Sequence, residues 1–475
     1  MECSVKNWIN KEFVNISFGD LRLEIRFKKV MEGFTKRIGK NISSAFDSWK
    51  QIKAGYRFLS NPKVQICKIL SPHRNSTIER INEHKKVLLI QDTTYFDFNN
   101  RKKTKNLDLV GRGKKQEIKG LILHNTFALT TQGLPLGLVD QQFTNRKSFH
   151  SDNSKASRKL AYWKNPIEKK ESFRWVQAIK KCHNLNLNAE TIHMADREGD
   201  IYELYRDCAD FNEKFLIRAK INRSINKEKR REPPQDKLFE HIEKQPTQGE
   251  YKVKIQINGV KKYRIAKLSI HFTKLSISAP PTRTVNKDGD NLKNVEMYGI
   301  MAIEKNPPKN YEGIKWVLLT NIVVENLADA IEKVIWYSYR WNIEVFHKIL
   351  KSGCNVEKAQ IQNGENLKKF IVMKSIIAWR IFWLTRTFDQ NKELNCEMVI
   401  TKEEWKILYY KFNKSTIPKV PPTVKEVYYW IARLGGFINR NTDPKPGIIS
   451  IWRGWNRFMD LIEDYDALKF MQTTM

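Results

Sequence analysis

Tyr337, Arg340, Glu344 and Lys351 set a phenol, two cations and an acid in one short stretch, a combination suited to holding a phosphate diester beside a bound metal ion. The stretch from about Asn326 to Ser352 reads as one helix. At about 100° per residue the four fall at roughly 0, −60, −20 and −40° around its axis, a narrow stripe that Lys348 joins at roughly +20°. Ile335, Trp336, Tyr339, Ile343, Phe346, Ile349 and Leu350 lie opposite, a broad apolar face for packing on a sheet, and Gly353 is expected to end the helix. A plain solvated polar face is the alternative explanation of the stripe.

Two more acids stand where apolar runs stop. Val87-Leu88-Leu89-Ile90 predicts a buried strand that leads to Asp92, and Thr191 to Ala195 predicts another that closes at Asp196. Two carboxylates at the ends of neighbouring strands, with a third from a helix packed on that sheet, can converge at one edge. Such a trio of oxygens is what two magnesium ions need, because these hard cations take oxygen ligands and keep positions open for substrate and water. In-line phosphoryl transfer at such a site requires no nucleophilic side chain. Taken singly, Asp92 and Asp196 suit a turn or cap equally well, and Asp97, Asp140, Glu198 and Asp200 are further candidates nearby.

The elements that must position these residues follow from the pattern. Residues 1 to about 85 read as short basic helices, including Leu21 to Ile38 and Ser44 to Leu59, with a restart at Ser60-Asn61-Pro62. They fit either a small DNA-binding module or a helical cap on the next domain. After the Asp92 strand comes a basic loop with Arg101, Lys102, Lys103, Lys105, Arg112, Lys114 and Lys115. Its Gly111 and Gly113 are not followed by Gly-Lys-Ser/Thr, so it is no nucleotide P-loop. Leu121 to Thr131 and Leu134 to Phe143 predict a hairpin around Gln132-Gly133, and Glu171 to Cys182 predicts a helix. Beyond Phe215 to Lys220, a charged loop (Arg223 to Asp236) opens into alternating stretches at Tyr251 to Ile257, Arg264 to Phe272 and Val295 to Ile303. These predict an inserted antiparallel sheet with a loop at Ala279 to Asn291. Trp316 to Thr320 is another buried strand, and it feeds the Tyr337 helix. The remainder reads as helical, with Asn366 to Phe388 first and a linker at Pro418, Pro421 and Pro422.

Lys plus Arg number 85 against 52 Asp plus Glu, a net charge of +33 over 475 residues. A surplus of this size points to a polyanion, with nucleic acid as the default partner. The length calls for two to four domains. No membrane partner is expected. Met1 to Phe13 lacks a signal-peptide core, and the most apolar run, Phe370 to Leu384, is broken by Lys374 and Arg380. Six scattered cysteines without a C-x-x-C pair suggest a reducing cytoplasm and argue against a zinc knuckle.

Together, Asp92-Thr93-Thr94, Asp196-Arg197-Glu198 with Asp200-Ile201, and the spaced Tyr337, Arg340, Glu344, Lys351 resemble the DDE transposases of the IS-four family of bacterial insertion sequences. The likeness extends to Tyr56-Arg57-Phe58, Trp316 to Thr320, Phe346-His347-Lys348 and Ile431 to Phe437, and so covers nearly the whole chain. D-x-T alone is a weak signal, whereas the tetrad inside Trp-x-x-Glu-x-Phe-His-Lys is a strong one.

The resemblance implies an α/β fold with an RNase H-like catalytic core, a β-rich insertion, and helical N-terminal and C-terminal domains. The expected limits are 1–72 for DNA binding, 73–365 for catalysis with the insertion at about 221–312, and 366–475 for dimerisation. It makes Asp92, Asp196 and Glu344 the metal ligands, for Mg2+ with Mn2+ able to substitute. Tyr337, Arg340 and Lys351 would hold phosphates of the transposon end, Trp316 would stack a flipped base, and Arg218 would contact DNA. The implied partners are double-stranded DNA, as terminal inverted repeats and target, and a second copy of the chain on DNA in the bacterial cytoplasm at the nucleoid. The implied activity is cut-and-paste transposition: nicking, a hairpin step, and strand transfer. A metal-dependent nuclease or resolvase of the same fold, and an inactive DNA-binding regulator, are the alternatives.

Overall fold

The computed structural model describes residues 4–112, 117–144, 166–225, 236–256, 263–280, 292–309 and 311–474. Gly113, Lys114 and Lys115 of the basic loop, Pro233 and Pro234, and most of the loop from Ala279 to Asn291 lie outside the described residues. In chain order the strands are β1 (Lys86–Asp97), β2 (Asp108–Arg112), β3 (Glu117–Thr130), β4 (Pro135–Thr144), β5 (Glu190–Ala195), β6 (Lys214–Arg218), β7 (Ser224–Ile225), β8 (Asp236–Lys237), β9 (Gly249–Gln256), β10 (Tyr263–Ile277), β11 (Val295–Ile303) and β12 (Lys315–Thr320). The chain divides into two compact units, one of Met1–Glu83, Thr93–Lys147 and Asn342–Met475, the other of His84–Asp92 and Ser148–Trp341.

In the second unit, Lys86 to Ile90 of β1 pairs in parallel with β5, and β5 pairs in parallel with β6. Parallel strands are covered on both faces, which is why Leu88, Leu89, Ile90, Ile192, Met194 and Leu216 are fully buried and read as unbroken apolar runs. From β6 the sheet turns antiparallel through β12, β11, β10 and β9. The inserted strands therefore extend the sheet that carries β5 and β6. Beneath it, Trp175, Tyr205 and Cys208 from the helices Phe173–His183 and Tyr202–Asp210 share one core with Phe215, Ile217, Met301 and Leu319.

In the first unit, β3 pairs antiparallel with β2 and with β4. The β3–β4 hairpin turns at Gln132-Gly133 as expected. Gly133 takes the left-handed conformation (φ +87°), and the Thr130 hydroxyl accepts from the amides of Gln132 and Leu134 at 3.2 and 3.1 Å. The N-terminal helices form at Ser4–Glu12, Leu21–Lys36, Ile42–Ala45, Trp49–Ser60 and Ile66–Asn82. Asp20 caps the second of these through the Arg22 amide. After Ser60-Asn61-Pro62 the helix restarts only at Ile66. The C-terminal region is helical throughout, at Gly364–Gln390, Lys402–Asn413, Val424–Leu434 and Ile448–Thr474. Capping boxes at Thr401 and Thr423 start two of these helices.

Four expectations need correction. The stretch from Asn326 to Ser352 is not one helix but Leu327–Ser338, then Trp341–Lys348, then a π turn at Ile349–Gly353. At the break, the amides of Tyr339 and Arg340 bond three residues back, to Trp336 and Tyr337, so the winding tightens and the angular stripe does not run through. Tyr337, expected on the polar stripe opposite the apolar face, is buried, 5% exposed. Gly353 closes the π turn, but the left-handed residue that ends the segment is Asn355 (φ +53°). Finally, β1 runs on to Asp97, so Asp92 sits inside a strand, at the point where its burial relaxes.

Candidate active site

Two of the predicted acids follow neighbouring parallel strands closely. Ile90 pairs with Met194, the last pair in the register of β1 with β5, and each acid follows two residues later, Asp92 within β1 and Asp196 just past the end of β5. Both side chains are half-exposed. Asp196 stays extended past the end of β5, and its Oδ1 accepts from the Glu198 amide at 2.8 Å, capping the short turn Arg197–Gly199. Cap and candidate ligand are thus one residue.

The neighbouring acids have structural work. Asp200 is buried and accepts from the Tyr205 hydroxyl at 2.6 Å, from the amides of Lys220 and Ile221 at 2.7 and 3.0 Å, and from the Arg223 guanidinium. Glu198 takes a hydrogen bond from the buried Arg174 at 2.9 Å. Asp97 caps a turn through the Asn99 amide at 2.8 Å, and Asp140 is buried on β4.

Cations gather near Asp196. The Arg218 guanidinium, on β6, donates through Nη2 to the Lys315 carbonyl at 3.1 Å and interacts electrostatically with the Tyr337 phenol. Burial pulls Arg218 below the usual guanidinium range, and the charges of Arg197 and Arg340 add to this. Burial pushes the Tyr337 phenol up. Arg340 and Arg218 oppose the rise, while the charge of Asp196 adds to it. Trp316 on β12 stands edge-on to Tyr337, with ring centroids 5.5 Å apart, and Arg340 lies 5.7 Å from the ring of Trp341. Arg197, exposed beside Asp196, had no role in the sequence reading beyond its place in the Asp-Arg-Glu motif. Its charge acting on Arg218 places it among these cations. A phenol, an indole and three guanidiniums around a carboxylate make a surface fit for a phosphodiester.

Glu344 and Lys351 belong to the first unit, whereas Tyr337 and Arg340 belong to the second. Glu344 is half-buried on the helix Trp341–Lys348. Lys351, in the π turn, donates to the Tyr95 carbonyl at 2.6 Å and lies 5.5 Å from the Phe96 ring, and burial lowers its pKa. Among the described residues no group of three His, Cys, Asp or Glu side chains is arranged to hold a metal ion. The carboxylates of Asp92 and Asp196 are hard oxygen donors of the kind Mg2+ and Mn2+ take.

Three family models match the chain in succession. Residues 5–64 match a transposase DNA-binding model, residues 171–380 a transposase DDE domain, and residues 376–471 a Tn5 transposase dimerisation domain. The chain is a Tn5-like DDE transposase of the IS-four family. The transposase has the expected mixed α/β fold, whose DDE domain carries an RNase H-like core between helical terminal regions. The DDE match contains Asp196, Arg218, Trp316, Tyr337, Arg340, Glu344 and Lys351, while Asp92 precedes it. The DNA-binding and dimerisation matches make DNA and a second copy of the chain the transposase's partners. DDE domains generally use divalent metal ions. Among the described residues no helix is long and apolar enough to cross a membrane.

Proposed function

We propose that this transposase moves DNA by cut and paste, with Asp92, Asp196 and Glu344 as its metal-binding acids and Mg2+, or Mn2+ in its place, as the cofactor. The observation that supports the reading is that Asp92 and Asp196 each follow by two residues the pair Ile90–Met194 of adjacent parallel strands. Bound there, the divalent ions supply activation of water or a 3′-hydroxyl and stabilisation of the leaving oxygen in an in-line phosphoryl transfer. The side chains around them hold the DNA. Tyr337, Arg340 and Lys351 take phosphates of the transposon end, Arg218 contacts the DNA, and Trp316 offers a ring on which an extruded base can stack.

The substrate is the pair of terminal inverted repeats, cleaved to leave 3′-hydroxyls, passed through a hairpin, and joined to target DNA by a homodimer assembled on the ends. Residues 1–72 recognise the ends, 73–365 carry catalysis with the insertion at about 221–312, and 366–475 dimerise. The setting is the bacterial cytoplasm, at the nucleoid.

The test is incubation of the full chain with Mg2+ and linear DNA bearing the inverted repeats that flank its gene. End cleavage and joined product are expected, and Asp92→Asn, Asp196→Asn and Glu344→Gln should each lower cleavage at least about a thousandfold. Full cleavage by any of the three removes that residue from the site. Cleavage without joined product makes the enzyme a nuclease, and loss of Trp316→Ala hairpin product alone assigns the stacking ring.

A further inference from the structure

The β3–β4 hairpin buries amides where its pairing requires none. Asn125 is 0% exposed and Gln141, its cross-strand partner, 5%. Buried amides are costly unless hydrogen-bonded, and these are bonded in series. Gln141 Nε2 donates to Asn125 Oδ1 at 2.8 Å, and Asn125 Nδ2 donates to Nε2 of His347 at 2.9 Å. His347 is itself buried and stands one turn after Glu344 on the helix Trp341–Lys348.

Two contacts therefore seat this helix on the same face of β3. Phe346 packs on Phe127 with centroids 5.2 Å apart, and His347 bonds Asn125, two residues earlier on the strand. The aromatic contact is broad and tolerates rotation of the helix. The hydrogen bond is directional and holds the ring nitrogen to within tenths of an ångström. The polar series is thus the part of the packing that can fix how far around the helix axis Glu344 points.

We propose that His347, held by Asn125 and Gln141, is a positioning residue that aims the Glu344 carboxylate for metal binding. The proposal rests on the reading of Glu344 as a metal ligand. Groups that orient ligands in this way commonly change metal affinity by about 10- to 100-fold when removed.

Mn2+ titrated into the full-length chain, with free Mn2+ followed by its paramagnetic resonance signal, reads this without requiring turnover. A glutamine amide reaches the place of the histidine Nε2, whereas an asparagine amide stops short of it, and both substitutions keep a small polar side chain. His347→Gln should bind Mn2+ within roughly threefold of wild type, and His347→Asn and Asn125→Leu at least roughly tenfold more weakly. Thermal melting of each variant identifies any that fails to fold, and the Gln and Asn pair then decides alone. Equal Mn2+ affinity for His347→Asn and wild type overturns the positioning role. Wild-type affinity in Glu344→Gln overturns instead the ligand assignment beneath it.

Discussion

The ring of Trp316 stands edge-on to Tyr337 at 5.5 Å and 69°, and the Arg218 guanidinium interacts with the phenol of the same tyrosine. The three come from β6, β12 and the helix Leu327–Ser338, so the tyrosine is fixed by both sheet strands beneath it. Its side chain is buried, 5% exposed, and its phenol lies in the field of the Arg218 and Arg340 guanidiniums.

Tyr337→Phe should accordingly destabilise the protein by about 1–2 kcal/mol, because a partly buried guanidinium loses a polar partner. Urea denaturation reads the loss. In the same variant, DNA binding should weaken with a smaller dependence on salt than expected from loss of a whole phosphate contact, since Arg340 remains. Unchanged stability would mean that the Arg218 contact contributes nothing to the fold.

Asp196 and Asp200 are four residues apart and should respond in opposite ways to the same change. Asp200→Asn leaves the Arg223 guanidinium facing a neutral group in a buried site, and should cost about 3–5 kcal/mol. Asp196→Asn keeps a side chain able to cap the Arg197–Gly199 turn, and should leave the melting temperature nearly unchanged while abolishing cleavage. Paired melting curves and cleavage assays decide this, and the reverse pattern would exchange the two roles.

Lys374 is fully buried, with its ammonium 2.8 Å from the Ile38 carbonyl, and burial lowers its pKa from 10.5 to about 7. Between those values the unfolded chain binds more protons than the folded one. Stability therefore rises with pH from about 7 toward 10, by up to about 1.4 kcal/mol per unit, and the burden is greatest below pH 7. Lys374→Met removes this dependence. Denaturation at pH 7, 8 and 9 should show wild type gaining on the variant by roughly 2 kcal/mol across the range. A constant difference would place the lysine's titration elsewhere.

Gly454 marks a close crossing of two helices in the dimerisation region. A Cβ there would lie 1.7 Å from the Ile431 carbonyl oxygen, a backbone atom that cannot turn aside. Gly454→Ala should force the helices Val424–Leu434 and Ile448–Thr474 apart, at a cost of about 1–3 kcal/mol. Thermal melting measures the cost, and sedimentation shows whether self-association on DNA weakens with it.

The apolar runs of β1 and β5 were legible because a parallel strand, buried on both faces, must be apolar along its length, whereas the continuation of β1 past Asp92 to Asp97 was not. The hairpin at Gln132-Gly133 was legible for a similar reason, since a left-handed turn residue between apolar runs has few other uses. The break between Ser338 and Trp341 was not. Apolar residues at Ile335, Tyr339, Ile343 and Phe346 keep helical spacing whether the intervening amides bond three or four residues back.

Residue type and spacing alone defined what this chain has to work with: acids that follow apolar runs, a basic surplus, and the Tyr, Arg, Glu and Lys series. Tertiary structure decided which acids are engaged in holding the fold, as Asp200 and Glu198 are, and that Asn125 and Gln141 serve His347. Those roles depend on partners distant in the chain, because burial and hydrogen bonding are properties of neighbours in space.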